Sequence, residues 1–139
     1  MLGGLQSNRA QQSAWKREEY SRLRAERRAV YVRFITAARA WRAYILSPDS
    51  QIKEAATTRR IAYSDGGPAF EETVRALTEI RIIAFSSKTI EAADHYDRTI
   101  RELARVKASI HPRLVPEEVH AAYIAAEATF IQAARDELS

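Results

Sequence analysis

The chain has 139 residues, is 46% hydrophobic, carries a formal net charge of +4 and contains no cysteine. That length is one domain's worth, enough to bury about two thirds of the unfolded surface around a single core. The lack of cysteine excludes disulfides and thiolate metal sites and fits a reducing cytoplasm, and no apolar run approaches the roughly 18 residues of a membrane helix.

The four glycines and four prolines fall at Gly3-Gly4, Pro48, Gly66-Gly67-Pro68, Pro112 and Pro116, which leaves long stretches without a breaker. Few turns mean few, long elements. Alanine supplies 25 of the hydrophobic residues, so helices approach closely over a thin core. The spacing predicts an all-α fold: an elongated antiparallel bundle of three long helices, with a short fourth helix as an optional addition.

The first helix is predicted over 7–46. Tyr20, Leu23, Arg27, Val30, Phe34, Ala37, Trp41 and Tyr44 follow alternating steps of three and four, a heptad seam. Before Ala29 the seam is narrow; beyond it Tyr31, Val32, Ile35, Ala38 and Ile45 widen it, so the first half reads as exposed and the second as buried on more than one side. Ser47-Pro48-Asp49 is a stop and a restart. The following segment, 48–63, reads either as a short helix with a weak stripe of Ile52, Ala55, Ala56 and Tyr63 or as a connector.

Asp65-Gly66-Gly67-Pro68 is the clearest turn, and a helix is predicted over 68–110 with Glu71 and Glu72 in its first turn, where the helix dipole favours acids. Ser86-Ser87 interrupts the apolar pattern and marks a kink or break. His111-Pro112 ends that helix. The last helix is predicted over 116–138, with Val119, Tyr123, Ala126, Phe130 and Ala133 as its stripe. Folded as a hairpin, two helices of about 60 Å are only half covered by this shorter third one. Val30, Phe34, Trp41 and Tyr44 are therefore expected at a contact with a second copy or beneath the 48–63 segment, since a stripe of large apolar groups in water is unusual for a monomer.

Charge is unevenly placed. Up to Arg42 there are ten basic and three acidic residues, a net +7, while the remainder nets −3. A basic first arm facing an acidic remainder predicts attraction between them, within one chain or across a dimer. The arm's Arg17, Arg22, Arg24, Arg27 and Arg28 are the candidate contacts for an anionic partner. Three readings apply to them: a solvated arm paired with acidic faces of 69–139, a contact with anionic lipid headgroups, and phosphate binding in nucleic acid. Glu18, Glu19 and Glu26 interleave with the arginines and weigh against the last.

Sites for chemistry are scarce. Glu117-Glu118-Val119-His120 holds one Glu-x-x-His spacing, whereas a di-iron bundle needs two such pairs and two further inward glutamates. His95 has Ala92 three residues before it, and His111 precedes a proline at a helix end. The glycines match no phosphate loop, and no strand-to-helix elbow presents a serine nucleophile. No enzymatic activity, metal or cofactor is expected.

The stretch WKREEYSRLRAERRAVYVRFITAARAWRA, from Trp15 to Ala43, resembles the opening helix of small uncharacterised actinobacterial helical proteins, with Tyr31, Phe34 and Ala37 carrying the match. Ala76 to Ala93 and Phe130 to Leu138 are similar to later helices of the same group. Many of those proteins begin with a membrane helix that leads into the basic arm, and Met1-Leu2-Gly3-Gly4-Leu5 resembles the end of such a span. The resemblance implies no reaction. The uncovered seam, the charge pattern and the scarcity of sites for chemistry lead to a non-enzymatic helical interaction or scaffold protein, a homo-oligomer in the cytoplasm or at the inner face of the membrane. The alternative is a nucleic-acid-binding module using the arginine-rich first helix.

Overall fold

The computed structural model describes residues 2–47, 53–54, 61–62, 67–109 and 115–139, the side chains of 2–6, 53–54, 61–62, 67 and 109 excepted. The fold is built from four helices, α1 (Leu2–Leu46), α2 (Gly67–Ile83), α3 (Ser87–Ser109) and α4 (Glu117–Leu138), with a short strand pair, β1 (Lys53–Glu54) and β2 (Ile61–Ala62), between α1 and α2. Every buried hydrophobic residue lies on a helix.

Contacts fix the directions of the helices. Along α1, Arg27 donates Nε–H to the carbonyl of Ile83 at 2.9 Å, Arg33 pairs with Glu79 at 2.5 Å and Trp41 meets the Phe70 ring at 5.1 Å. As α1 numbers rise, α2 numbers fall, so the two are antiparallel. Between α3 and α4, Thr89 lies against Ala133 and Tyr96 against Glu127, again antiparallel. The Tyr31 and Phe34 rings of α1 both meet Phe130 edge-on, and Phe34 also meets Tyr96 of α3 at 5.8 Å.

The kink or break expected near Ser86-Ser87 is a break, and the chain reverses there instead of continuing as one long element over 68–110. Ala84, Phe85 and Ser86 form the turn between α2 and α3. Ser86 starts α3: its carbonyl accepts from Thr89 and Ile90 N–H, its hydroxyl accepts from Lys88 N–H at 3.2 Å, and its own N–H donates to Glu137 on α4 at 2.6 Å. With α2 and α3 folded back to back, three helices cover the second half of α1. Val30, Phe34 and Trp41 are consequently buried in the chain's own core and Tyr44 is half-buried against it. The expectation that these residues meet a second copy or lie beneath the 48–63 segment is corrected for Val30, Phe34 and Trp41, whose cover comes from α2, α3 and α4.

The short helix over 48–63 is also corrected where that segment is described. Lys53 stands opposite Ala62 and Glu54 opposite Ile61 in an antiparallel ladder that packs on α3. Ile52, Ala55, Ala56 and Tyr63 lie outside the described residues, as do the turn residues Asp65 and Gly66, the Pro48-Asp49 stop, and His111-Pro112. Side chains of Leu2 to Leu5, and all of Met1, lie outside them too.

Candidate functional site

The core ends near Arg27, and α1 does not. Side chains from Ser7 to Glu18 are all exposed, with Trp15 at 64% and Tyr20 at 57% of full exposure. The cause is in the seam: the alternating steps that carry Trp41, Phe34, Val30 and Leu23 continue through Tyr20 to Lys16, Ser13 and Arg9, which offer no apolar group for a covering helix. The helix persists there because Ala, Gln, Arg, Lys and Glu are strong helix formers and the turn that follows each residue, toward the packed half, is already built.

Within the packed half, the basic arm and the acidic remainder meet as the charge pattern predicts. Glu127 of α4 accepts from Arg39 at 2.6 Å, from Arg42 at 3.4 Å and from the Tyr96 hydroxyl at 2.6 Å. The Arg39 hydrogen bond, opposed by burial and aided by Tyr96, holds the Glu127 carboxyl below the usual carboxylate range, and burial pushes the Tyr96 phenol above its ordinary value. Glu137 receives the Tyr31 hydroxyl and Ser86 N–H, and burial, then that hydrogen bond, raises the Tyr31 phenol. At the far end Lys107, buried, donates Nζ–H to the carbonyls of Ile45 at 2.7 Å and Ser47 at 3.1 Å, satisfying carbonyls that the end of α1 leaves without helical donors. Burial holds its ammonium below the ordinary range.

The five arginines marked for an anionic partner separate into three sets. Arg27 is turned into the bundle, bonded to the Ile83 carbonyl and seated 5.6 Å from the Phe85 ring centroid. Arg22 pairs only with its own helix, at Glu19. Arg17, Arg24 and Arg28 share one side of α1, spaced so that Ser21 completes the row. Of these, Arg17 donates to the Ser13 carbonyl at 3.4 Å, and neither Arg24 nor Arg28 has an ion pair among the described residues. Their row leads into an open groove of about 1010 Å³ between α1 and the last turns of α4, bordered by Arg24, Arg28, Val32, Ile35, Ile131 and Arg135, with Leu138 at its end. Sequence reasoning missed this groove, together with Arg135, because the pairing of α4 with α1 is a tertiary event. It also missed Glu127, Glu137 and Lys107, whose partners lie far away along the chain.

Residues weighed for metal or acid–base chemistry stay apart. His120 Nδ1 lies 2.8 Å from the Tyr123 hydroxyl, Glu117 and Glu118 are exposed in the first turn of α4, and His95 borders a shallow groove with Glu102 and Glu118. Among the described residues no cluster of three or more His, Cys, Asp or Glu side chains is arranged to hold a metal ion. No described helix is long and apolar enough to cross a membrane. No family model, curated protein or solved structure matches the chain.

Proposed function

We propose that this chain is a non-enzymatic helical interaction protein, in which the packed half of α1 is the mount and the projecting half is the recognition element. One observation carries this reading: the exposed run from Ser7 to Glu18 belongs to the same uninterrupted helix that forms one wall of the core. About 25 residues of helix, some 37 Å, stand beyond the last core layer. A helix with no cover on any side gains little from staying folded, which suits an element that completes its packing on a partner.

Trp15 and Tyr20 replace the buried seam residues as the apolar groups available for self-association, and the proposed assembly is a homo-oligomer joined through the arms. Arg17, Arg24 and Arg28 suit an anionic surface beside that contact, in keeping with a place at the inner face of the membrane. Sedimentation is the test. The expected result at micromolar concentration is a dimer that Trp15→Glu and Tyr20→Glu dissociate with thermal stability unchanged; a strict monomer contradicts the self-associating arm. A second reading, nucleic-acid binding, is favoured by the row of arginines without acidic partners and opposed by Glu18 and Glu26, both exposed beside it. Titration with duplex and single-stranded DNA at two salt concentrations separates the two, because phosphate binding weakens steeply with salt.

A further inference from the structure

The groove between α1 and α4 has a composition unlike the rest of the surface. Its border includes four arginines (Arg24, Arg28, Arg33 and Arg135) and no acidic residue. Arg33 is engaged with Glu79, whereas Arg24, Arg28 and Arg135 have no ion pair among the described residues. Between them lies an apolar floor: Val32 is 55% exposed, and Ile35, Ile131 and Leu138 are half-buried. Most other cations of the packed half of α1 and of α2 are matched, as at Arg39, Arg42, Arg75 and Arg81. Cations left unmatched around exposed aliphatic groups are the complement of a ligand with an apolar stripe flanked by carboxylates.

Shape narrows the choice. From Ser21 to Ile35 the α1 wall runs for about 21 Å, the length of roughly four helical turns, and two converging helices form a trough that a third helix fills by packing its side chains between theirs. We propose that this groove receives an acidic amphipathic helix of a partner protein, with aliphatic residues at helical spacing on Val32, Ile35 and Ile131 and carboxylates reaching Arg24, Arg28 and Arg135. The inference builds on the interaction reading above but rests on residues farther along α1 than Trp15 and Tyr20, neither of which lines the groove, so the two fail separately.

The probe is a fluorescent amphipathic peptide of about 18 residues with leucines at i, i+3, i+4 and i+7 and flanking glutamates, titrated against the full chain. Two control peptides accompany it, one with lysine for each glutamate and one with serine for each leucine. The expected result is saturable binding of the acidic peptide and at least about tenfold weaker binding of both controls, since opposite charges steer and like charges repel. Arg28→Glu with Arg135→Glu, and separately Val32→Ser, should each weaken the acidic peptide by about tenfold or more while the melting temperature holds, all three side chains being exposed. Equal binding of the glutamate and lysine peptides, or indifference to both sets of substitutions, overturns the proposal. So does binding confined to anionic phosphatidylglycerol vesicles, which would make the arginines a headgroup contact. If the peptide fails while Trp15→Glu still dissociates the dimer, the groove proposal falls and the interaction reading stands.

Discussion

The two halves of α1 share one backbone geometry and differ in almost everything else. From Arg27 to Leu46 the seam residues Val30, Phe34 and Trp41 are buried, with Tyr31, Ala38 and Ile45 buried beside them, and the arginines of this half find Glu79 and Glu127 on neighbouring helices. Toward its start the same seam positions hold Lys16, Ser13 and Arg9, and among the described residues from Ser7 to Glu26 the one ion pair is local, Arg22 with Glu19. The difference teaches that helix and packing are separable instructions. Propensity carries the helix through both halves, while the bundle stops where the apolar period stops.

Substitutions can break or sharpen that contrast. The largest effect is expected at Trp41→Ala in the packed half: removing a wholly buried indole should cost about 3–5 kcal/mol, read by chemical denaturation, and a loss below about 1 kcal/mol would mean that the core does not close there. Lys107→Ala comes next, at about 1–3 kcal/mol, because the Ile45 and Ser47 carbonyls lose their buried donor.

Glu127→Gln should cost about 1 kcal/mol, modest because Arg39 is more than half exposed and its pair is screened. Its signature is in the pH dependence. Glu127 has its folded pKa lowered chiefly by Arg39, so the unfolded chain binds its proton more tightly; the contribution is fully present above the unfolded carboxylate value and is lost as pH falls through the folded one. Stability measured from neutral to acid pH should therefore fall less steeply in Glu127→Gln than in the wild type, and parallel profiles would remove Glu127 from the account. Trp15→Ala should be the smallest change, within about 0.5 kcal/mol, at protein concentrations where the chain is monomeric.

Much of this contrast is legible from residue order. The widening of the seam after Ala29, the stop at Ser47 and the start of the last helix at Pro116 follow from apolar period and from proline and serine chemistry, and α1 and α4 end and begin within a residue or two of those marks. The reversal at Ala84 to Ser86 is not legible in the same way. It has no glycine or proline, and one of the bonds that fixes it comes from Glu137, 51 residues away. Reading it as a kink or break within one long element leaves Phe34 and Trp41 without cover and calls for a second chain or the 48–63 segment, neither of which the burial of Phe34 and Trp41 requires. The groove is hidden for the same reason, since Arg24 and Arg28 are visible as an arginine row but their approach to Arg135 and Ile131 depends on how α4 lies along α1.

Residue-resolved amide hydrogen exchange on the full chain, at a concentration where it is monomeric, tests the separation of the two halves most directly. The account predicts protection near the global unfolding limit for Val30 to Ile45 and protection falling steadily toward Ser7, with the arm amides gaining protection only as concentration rises and arms pair. Uniform, concentration-independent protection from Ser7 to Ile45 would contradict it, because the projecting half would then be held by the chain itself and not left for a partner.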